Sequence, residues 1–303
     1  MRFIHRFDPW RGKLCTCPLK YTLDPYTGCG HRCRYCYITS YIRDGFNPRP
    51  KAGLIEGLKK DLVKLNPEIP ISISNSSDPY TPPDEELELT RKALEVILPR
   101  GFKVLLVTKS SLVLRDLKLI ARGNCSVSMT ITTLDEVKAK RMEPRAPPPS
   151  QRLKALATLT SEGVPCSLRL DPIVPGYNSG EDELKTIIKE AAKAGVEHVV
   201  TSTFKPRPDG FKRVVSAFPE LKQLLRRLYY EEGRRISGAR YLADEKRREL
   251  LKMVKELAEA EGLTFAACRE GFPELHSAPS CDGTHLIPIR IRVAGLTGWS
   301  TGS

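Results

Sequence analysis

The runs Phe102 to Val107 (FKVLLV), Cys125 to Thr132 (CSVSMTIT), Pro165 to Leu170 (PCSLRL) and Glu197 to Thr203 (EHVVTST) are short, apolar and rich in β-formers. Stretches with helical spacing fill the gaps between them: Val113 to Ala121, Gln151 to Ser161 and Gly180 to Ala194. Toward the N-terminus, Leu54, Leu58, Leu62 and Leu65 mark a helix over Gly53 to Leu65. Pro67 and Pro70 stop it before a strand at Ile71 to Ser74, and Asp84 to Leu98 is again helical. Five strands alternating with helices imply a parallel sheet, open or curled into a partial barrel. Such sheets carry their chemistry at the carboxyl ends of the strands. Here those ends are Ser74 to Asp78, Thr108 to Ser110, Thr130 to Thr133 and Arg169 to Asp171. Beyond Pro206 the rhythm changes to helices near Val215 to Glu232 and Ala243 to Glu261, a short strand Leu263 to Ala267, and a Gly/Pro/Ser-rich tail to Ser303.

The 303 residues include 49 Lys and Arg against 36 Asp and Glu, a formal charge of +13. A 40% hydrophobic fraction excludes disorder as the main state. No apolar run approaches the roughly 18 to 20 residues of a membrane span, and MRFIHRFDPWRGK has no apolar signal core, so a cytoplasmic protein is expected. The 24 Pro, with five Asn and two Gln, resemble the composition of thermophile proteins. Nine cysteines without a secretion signal point to metal or redox chemistry rather than a disulfide scaffold.

Three of those cysteines form the sharpest motif, Cys29-x3-Cys33-x2-Cys36, within GCGHRCRYCY at 28 to 37. Three thiolates on one loop suit a 4Fe-4S cluster with one iron left open, whereas a structural zinc site takes four ligands. The alternative is zinc completed by His31 or a remote cysteine.

This spacing, with Tyr35 before the third cysteine, resembles the radical S-adenosylmethionine superfamily, and within it the spore photoproduct lyase-like branch of DNA repair photolyase homologues. Ser77 to Pro82, Thr108 to Ser110, Thr130 to Thr132, Arg141 to Pro148, Arg169 to Gly176 and Cys268 to Phe272 look like that branch, so the resemblance covers most of residues 20 to 275. It implies a partial (β/α)6 TIM-type barrel at 21–205. This core lies between an N-terminal segment 1–20, which carries Cys15 and Cys17, and a helical C-terminal extension with a cysteine-containing tail at 206–303. It implies a 4Fe-4S cluster on Cys29, Cys33 and Cys36. It also implies an external electron donor of ferredoxin or flavodoxin type, and reductive cleavage of S-adenosyl-L-methionine to a 5'-deoxyadenosyl radical. By the same resemblance Tyr35 lies by the adenine and Tyr37 is the second family aromatic. Lys109 and Thr130 meet the methionine end, and Asn75, Ser76 and Asp78 lie where its amine is met. Asn75-Ser-Ser-Asp78 lacks the cysteine that donates hydrogen in true spore photoproduct lyases, which makes thymine-dimer reversal by that route doubtful.

Cys125 and Cys166 begin their strands and read as small core residues. Cys15 and Cys17, near one end of the chain, and Cys268 and Cys281, near the other, form a candidate four-thiolate site for an auxiliary iron-sulfur cluster or zinc. Rival readings make Cys268 a hydrogen donor, or leave the four thiols unligated. Glu143 and Arg152 read equally as a cofactor anchor or an ordinary ion pair.

Residues 205 to 248 hold 13 basic and 6 acidic residues, and residues 1 to 51 hold 10 and 3. Phe204, Phe211, Phe218, Tyr229, Tyr230 and Tyr241 are interleaved with the second segment, a pattern suiting phosphate contact with base stacking. DNA or RNA is therefore the expected substrate of a repair or base-modifying enzyme. The alternatives are a radical enzyme modifying a peptide or protein, and an iron-sulfur protein that binds nucleic acid without turnover.

Overall fold

The computed structural model describes residues 2–7, 12 and 14–291; the part of the expected tail beyond residue 291 lies outside the described residues. One sheet of eight strands organises the chain: β1 (Ile4–Arg6), β2 (Tyr21–Leu23), β3 (Ile71–Ile73), β4 (Val104–Thr108), β5 (Cys125–Thr130), β6 (Cys166–Ile173), β7 (His198–Thr203) and β8 (Thr264–Ala267). Spatial order equals chain order. β1 runs antiparallel to β2, every later pairing is parallel, and none among the described residues joins β1 to β8, so the barrel is partial. The sheet extends beyond the 21–205 stretch at both ends, through β1 and β8.

The helices follow the expected alternation. Leu54–Leu62 is α1, Leu89–Ile97 is α2, Leu117–Arg122 is α3, Glu136–Met142 is α4, Pro149–Ser161 is α5, Glu181–Lys193 is α6, Pro208–Ala217 is α7 and Asp244–Ala260 is α8. Two expected helices are broken. Glu88, at φ 50°, separates a single turn at Asp84–Leu87 from α2. The expected 215–232 helix is instead the end of α7, a short 3-10 turn at Pro219–Leu221, Lys222–Arg226 and a π-helical turn, Arg227–Glu231, because Pro219 has no N–H to continue the ladder.

Side chains alternate across the sheet. Val104, Leu106, Val127, Met129, Leu168, Leu170, Val199 and Phe265 join the core beneath the helices, together with Cys125 and Cys166, both fully buried as expected. The opposite, concave face is largely polar: Ser72, Ser126, Ser128, Thr130, Ser167 and His198 are all buried there, beside the apolar Leu105, Val200 and Ala266. Parallel sheets usually bury apolar side chains on both faces, so this polarity needs a cover. Part of it is the tail: Gly283 approaches Ser167, and the His285 ring lies edge-on to His198 with centroids 4.9 Å apart. Arg290 and Ile291 then donate backbone N–H groups to Asn124 Oδ1 at 2.6 and 2.8 Å, just ahead of β5. No helix among the described residues is long and apolar enough to cross a membrane.

Candidate active site

The cysteine loop lies over the carboxyl ends of the strands and is held from several directions. The Cys29 N–H donates to Gly45 O at 2.8 Å, Gly30 N–H to Thr81 Oγ1 at 2.7 Å and Arg34 N–H to Met142 O at 2.8 Å. From α7, Arg213 donates to the carbonyls of Cys36 and Arg34, the latter at 3.1 Å. Asp209, one turn earlier, accepts from Thr39 and, at 2.7 Å, from Ser40. The sequence carries no local signal of this clamp, because its halves are more than 160 residues apart.

Beneath the loop is a buried ion pair. Arg152 Nη1 lies 2.5 Å from Glu143 Oε2, both side chains 1% exposed, and donates to Thr130 O at 3.1 Å. Glu143 Oε1 accepts from the Tyr35 hydroxyl and, at 3.3 Å, from Thr132. Glu143 and Arg152 thus form a structural pair that carries Tyr35. Lys109 Nζ lies 5.6 Å from the Tyr35 ring centroid and makes no hydrogen bond or ion pair among the described residues. Burial pushes the Cys33 thiol up to about 12; Glu143 adds to the rise and Lys109 opposes it. Burial likewise raises Cys29 and Cys36.

Asp78, expected where the methionine amine is met, is held by several neighbours. Its carboxylate is buried and accepts from Thr108 Oγ1 (2.7 Å), Tyr80 N–H (3.0 Å) and Lys109 N–H (2.7 Å), with His31 Nε2 at 3.2 Å. Burial favours its neutral form, but His31 and these donors hold it below the usual carboxylate range. It positions His31 and Lys109. Asn75 is bonded to Thr22 and Ser72 at 2.8 and 2.9 Å, and Ser76 is bonded to Tyr41. Tyr37 stacks on Tyr41 with centroids 6.0 Å apart, and Thr130 is buried on the concave face. Arg169 pairs with Asp171 at 2.9 Å and donates to Cys268 Sγ at 3.5 Å, a link with no signal in the sequence because its halves lie 99 residues apart.

The second basic segment also needs correction. Phe204, Phe218, Tyr229 and Tyr241 are core residues, at most 4% exposed. Arg247, 1% exposed, pairs with Glu270 at 2.8 Å, and Arg234 and Arg248 pair with Asp244 and Glu274 at 2.7 and 2.6 Å. What remains outside is Tyr230, packed between Phe211 (4.9 Å) and Arg240 (4.7 Å). Arg207 donates to Ser237 O at 3.2 Å in the hairpin formed by Arg234–Ile236 and Ala239–Tyr241, and its charge acts on Tyr41. The hairpin and the cysteine loop are therefore neighbours.

The Radical SAM superfamily model matches residues 23–191, more than half of the chain. The chain belongs to the Radical SAM superfamily. An uncharacterized protein of Acidianus two-tailed virus is 30% identical over 68% of this chain and 74% of its own. The Radical SAM Nalpha-GlyT isomerase of Pseudomonas phage M6 is 23% identical over 82% of this chain and 53% of its own. Among solved structures, a spore photoproduct lyase mutant with bound AdoMet and dinucleoside spore photoproduct superposes with a TM-score of 0.60 at 19% identity, over 79% of this chain and 73% of the other. Streptococcus suis SuiB bound to its precursor peptide SuiA gives 0.55 at 13%, over 84% and 50%.

A Radical SAM enzyme uses a 4Fe-4S cluster and S-adenosylmethionine, and the residues here fit both groups: three soft sulfur donors on one loop, with the Lys109 ammonium beside them in no ion pair among the described residues. When bound, the pair supplies a carbon radical able to abstract hydrogen. The chain's own part is to fix the loop through Arg213, orient Tyr35 through Glu143 and Arg152, and keep Lys109 directed inward through Asp78.

Proposed function

We propose that Cys29, Cys33 and Cys36 ligate the cluster, that Lys109 and Thr130 hold the methionine end of S-adenosylmethionine with Tyr35 at the adenine, and that the substrate is a nucleic acid undergoing repair or base modification. The observation carrying the substrate reading is the meeting of the two basic segments at the mouth. The cysteine loop brings Arg43, whose side chain is 97% exposed, and Arg49, which is bonded to carbonyls rather than a carboxylate; the hairpin brings Arg235 and Arg240 beside Tyr230. Phosphates next to an exposed aromatic ring are the contacts a single strand or an extruded base offers. The likeness in fold to a lyase that binds a dinucleoside spore photoproduct leans the same way.

The test is anisotropy of labelled single-stranded DNA and RNA against salt. Affinity is expected to fall log-linearly with salt, and R43A/R235A/R240A to weaken it while sparing cleavage of S-adenosylmethionine. No binding at low salt by protein with its full iron content transfers the reading to a peptide substrate, the class bound by SuiB.

A further inference from the structure

We infer that Cys15, Cys17, Cys268 and Cys281 bind one tetrahedral divalent metal ion, of which zinc is the type, and that this ion clasps the open seam of the barrel. The four residues come from three separate places: the segment leading into β2, the residue directly after β8, and the tail. Cys17 is the hub. Its thiol contacts those of Cys15, Cys268 and Cys281, and Cys281 Sγ lies 3.5 Å from Cys17 Sγ. Cys15 Sγ also accepts the Cys17 N–H at 3.5 Å.

Those distances select among the fates of a thiol cluster. A disulfide requires about 2.05 Å between sulfurs. Zinc–sulfur bonds of about 2.3 Å place neighbouring sulfurs of a tetrahedron about 3.8 Å apart. A cubane cluster sets each thiolate on a different iron and so holds the sulfurs farther apart. The observed 3.5 Å is close to the tetrahedral edge. Among the described residues no group of three or more His, Cys, Asp or Glu is already gathered as an ion's ligand shell, and this holds for Cys29, Cys33 and Cys36 as well. Cys15, Cys268 and Cys281 each already contact the Cys17 thiol, so the set closes by drawing the other three onto an ion shared with Cys17.

A second observation points to thiolates there. Lys20 Nζ, on a buried side chain, lies 3.9 Å from Cys17 Sγ, and Arg169 Nη2 lies 3.5 Å from Cys268 Sγ. Four thiolates around a divalent ion carry an excess of two negative charges, and these donors, each held also by a carboxylate (Asp282 and Asp171), place N–H groups on two of the sulfurs. The placement gives the site its role. β1 and β2 form one edge of the sheet and β8 the other, without a pairing between them among the described residues. Gly271 N–H to Leu14 O (3.1 Å) and Lys20 to Asp282 already cross this gap beside the thiols.

The experiment is elemental analysis and thermal unfolding of the full chain, purified anaerobically, as wild type, C29A/C33A/C36A, C17S and C281S. One zinc per chain is expected in the first two, falling at least tenfold in C17S and C281S, whose iron content stays at the wild-type level. Cobalt exchanged into C29A/C33A/C36A should give the intense visible absorption of a tetrahedral tetrathiolate. Iron with acid-labile sulfide in C29A/C33A/C36A, four alkylatable thiols without metal, or a Cys17–Cys281 disulfide by non-reducing peptide mapping would each overturn the inference. If C29A/C33A/C36A does not fold, the zinc stoichiometry of the wild type decides between the outcomes. Loss of this site leaves the three-cysteine reading standing, since the two are read out by different metals.

Discussion

The Tyr35 hydroxyl donates to Glu143, whose other carboxylate oxygen lies 2.5 Å from Arg152, so the residue ahead of Cys36 rests on a buried ion pair. Glu143→Ala leaves Arg152 charged and 1% exposed, and stability should fall by about 3 to 5 kcal/mol in denaturant titrations. Replacing both residues with apolar side chains of similar volume should recover most of that loss, while the affinity for S-adenosylmethionine stays reduced because Tyr35 has lost its anchor.

Lys109 should act on ligand affinity rather than on folding. Lys109→Met removes an ammonium that is in no ion pair among the described residues and acts on Glu143 only through its field. S-adenosylmethionine binding, measured by equilibrium dialysis, should weaken roughly tenfold to a hundredfold, the worth of a charged hydrogen bond of about 1.5–3 kcal/mol. Iron content and melting temperature should be nearly unchanged. An unaltered affinity would remove Lys109 from the methionine end.

Acid should loosen the tail's seat. Burial, then His285, lowers His198 to about 3, so it is neutral in the fold, and His276 and His285 are lowered as well. A histidine depressed in the folded state contributes stability that is complete above its unfolded pKa, near 6.5, and is lost as pH falls toward the folded value. Unfolding free energy should therefore decline between about pH 6.5 and 3, by up to about 1.4 kcal/mol per pH unit from His198. His198→Asn should flatten the profile; an identical slope in the variant would assign the acid sensitivity elsewhere.

Arg247 and Arg43 should part company. Arg247→Ala exposes the pairing needs of buried Glu270, which keeps Lys205 at 2.6 Å, and should cost about 3 kcal/mol of stability with no change in the salt slope of nucleic-acid binding. Arg43→Ala should leave stability within about 0.5 kcal/mol and reduce that slope by about one. Arg248→Ala, at an exposed pair with Glu274, should change stability by less than about 1 kcal/mol.

The central strands were legible because each is a short run between helix-period stretches, continuously apolar in Val104–Thr108 and alternating apolar with polar in Cys125–Thr130 and Cys166–Ile173. β1 and β2 were not: three residues hold too little pattern to show a period, and their pairing joins positions such as Ile4 and Leu23. The three-cysteine loop could be read because its spacing is local. The groups that orient it could not, since His31–Asp78 and Arg213–Cys36 are contacts made only by the folded chain. Charge counting misled at Arg247 for the same reason, as its partner Glu270 is 23 residues away and sequence balance does not reveal burial.

Because the sheet is laid down in chain order, each parallel strand emerging from the ribosome meets a partner already made. The exception is the return of residues 281–291 to Cys17, Lys20 and Asn124, which waits until all the strands of the sheet have been synthesised. Assembly therefore has a late checkpoint: a nascent chain halted before residue 281 has its central strands paired but its polar trough uncapped, and should be the form most readily cut by protease.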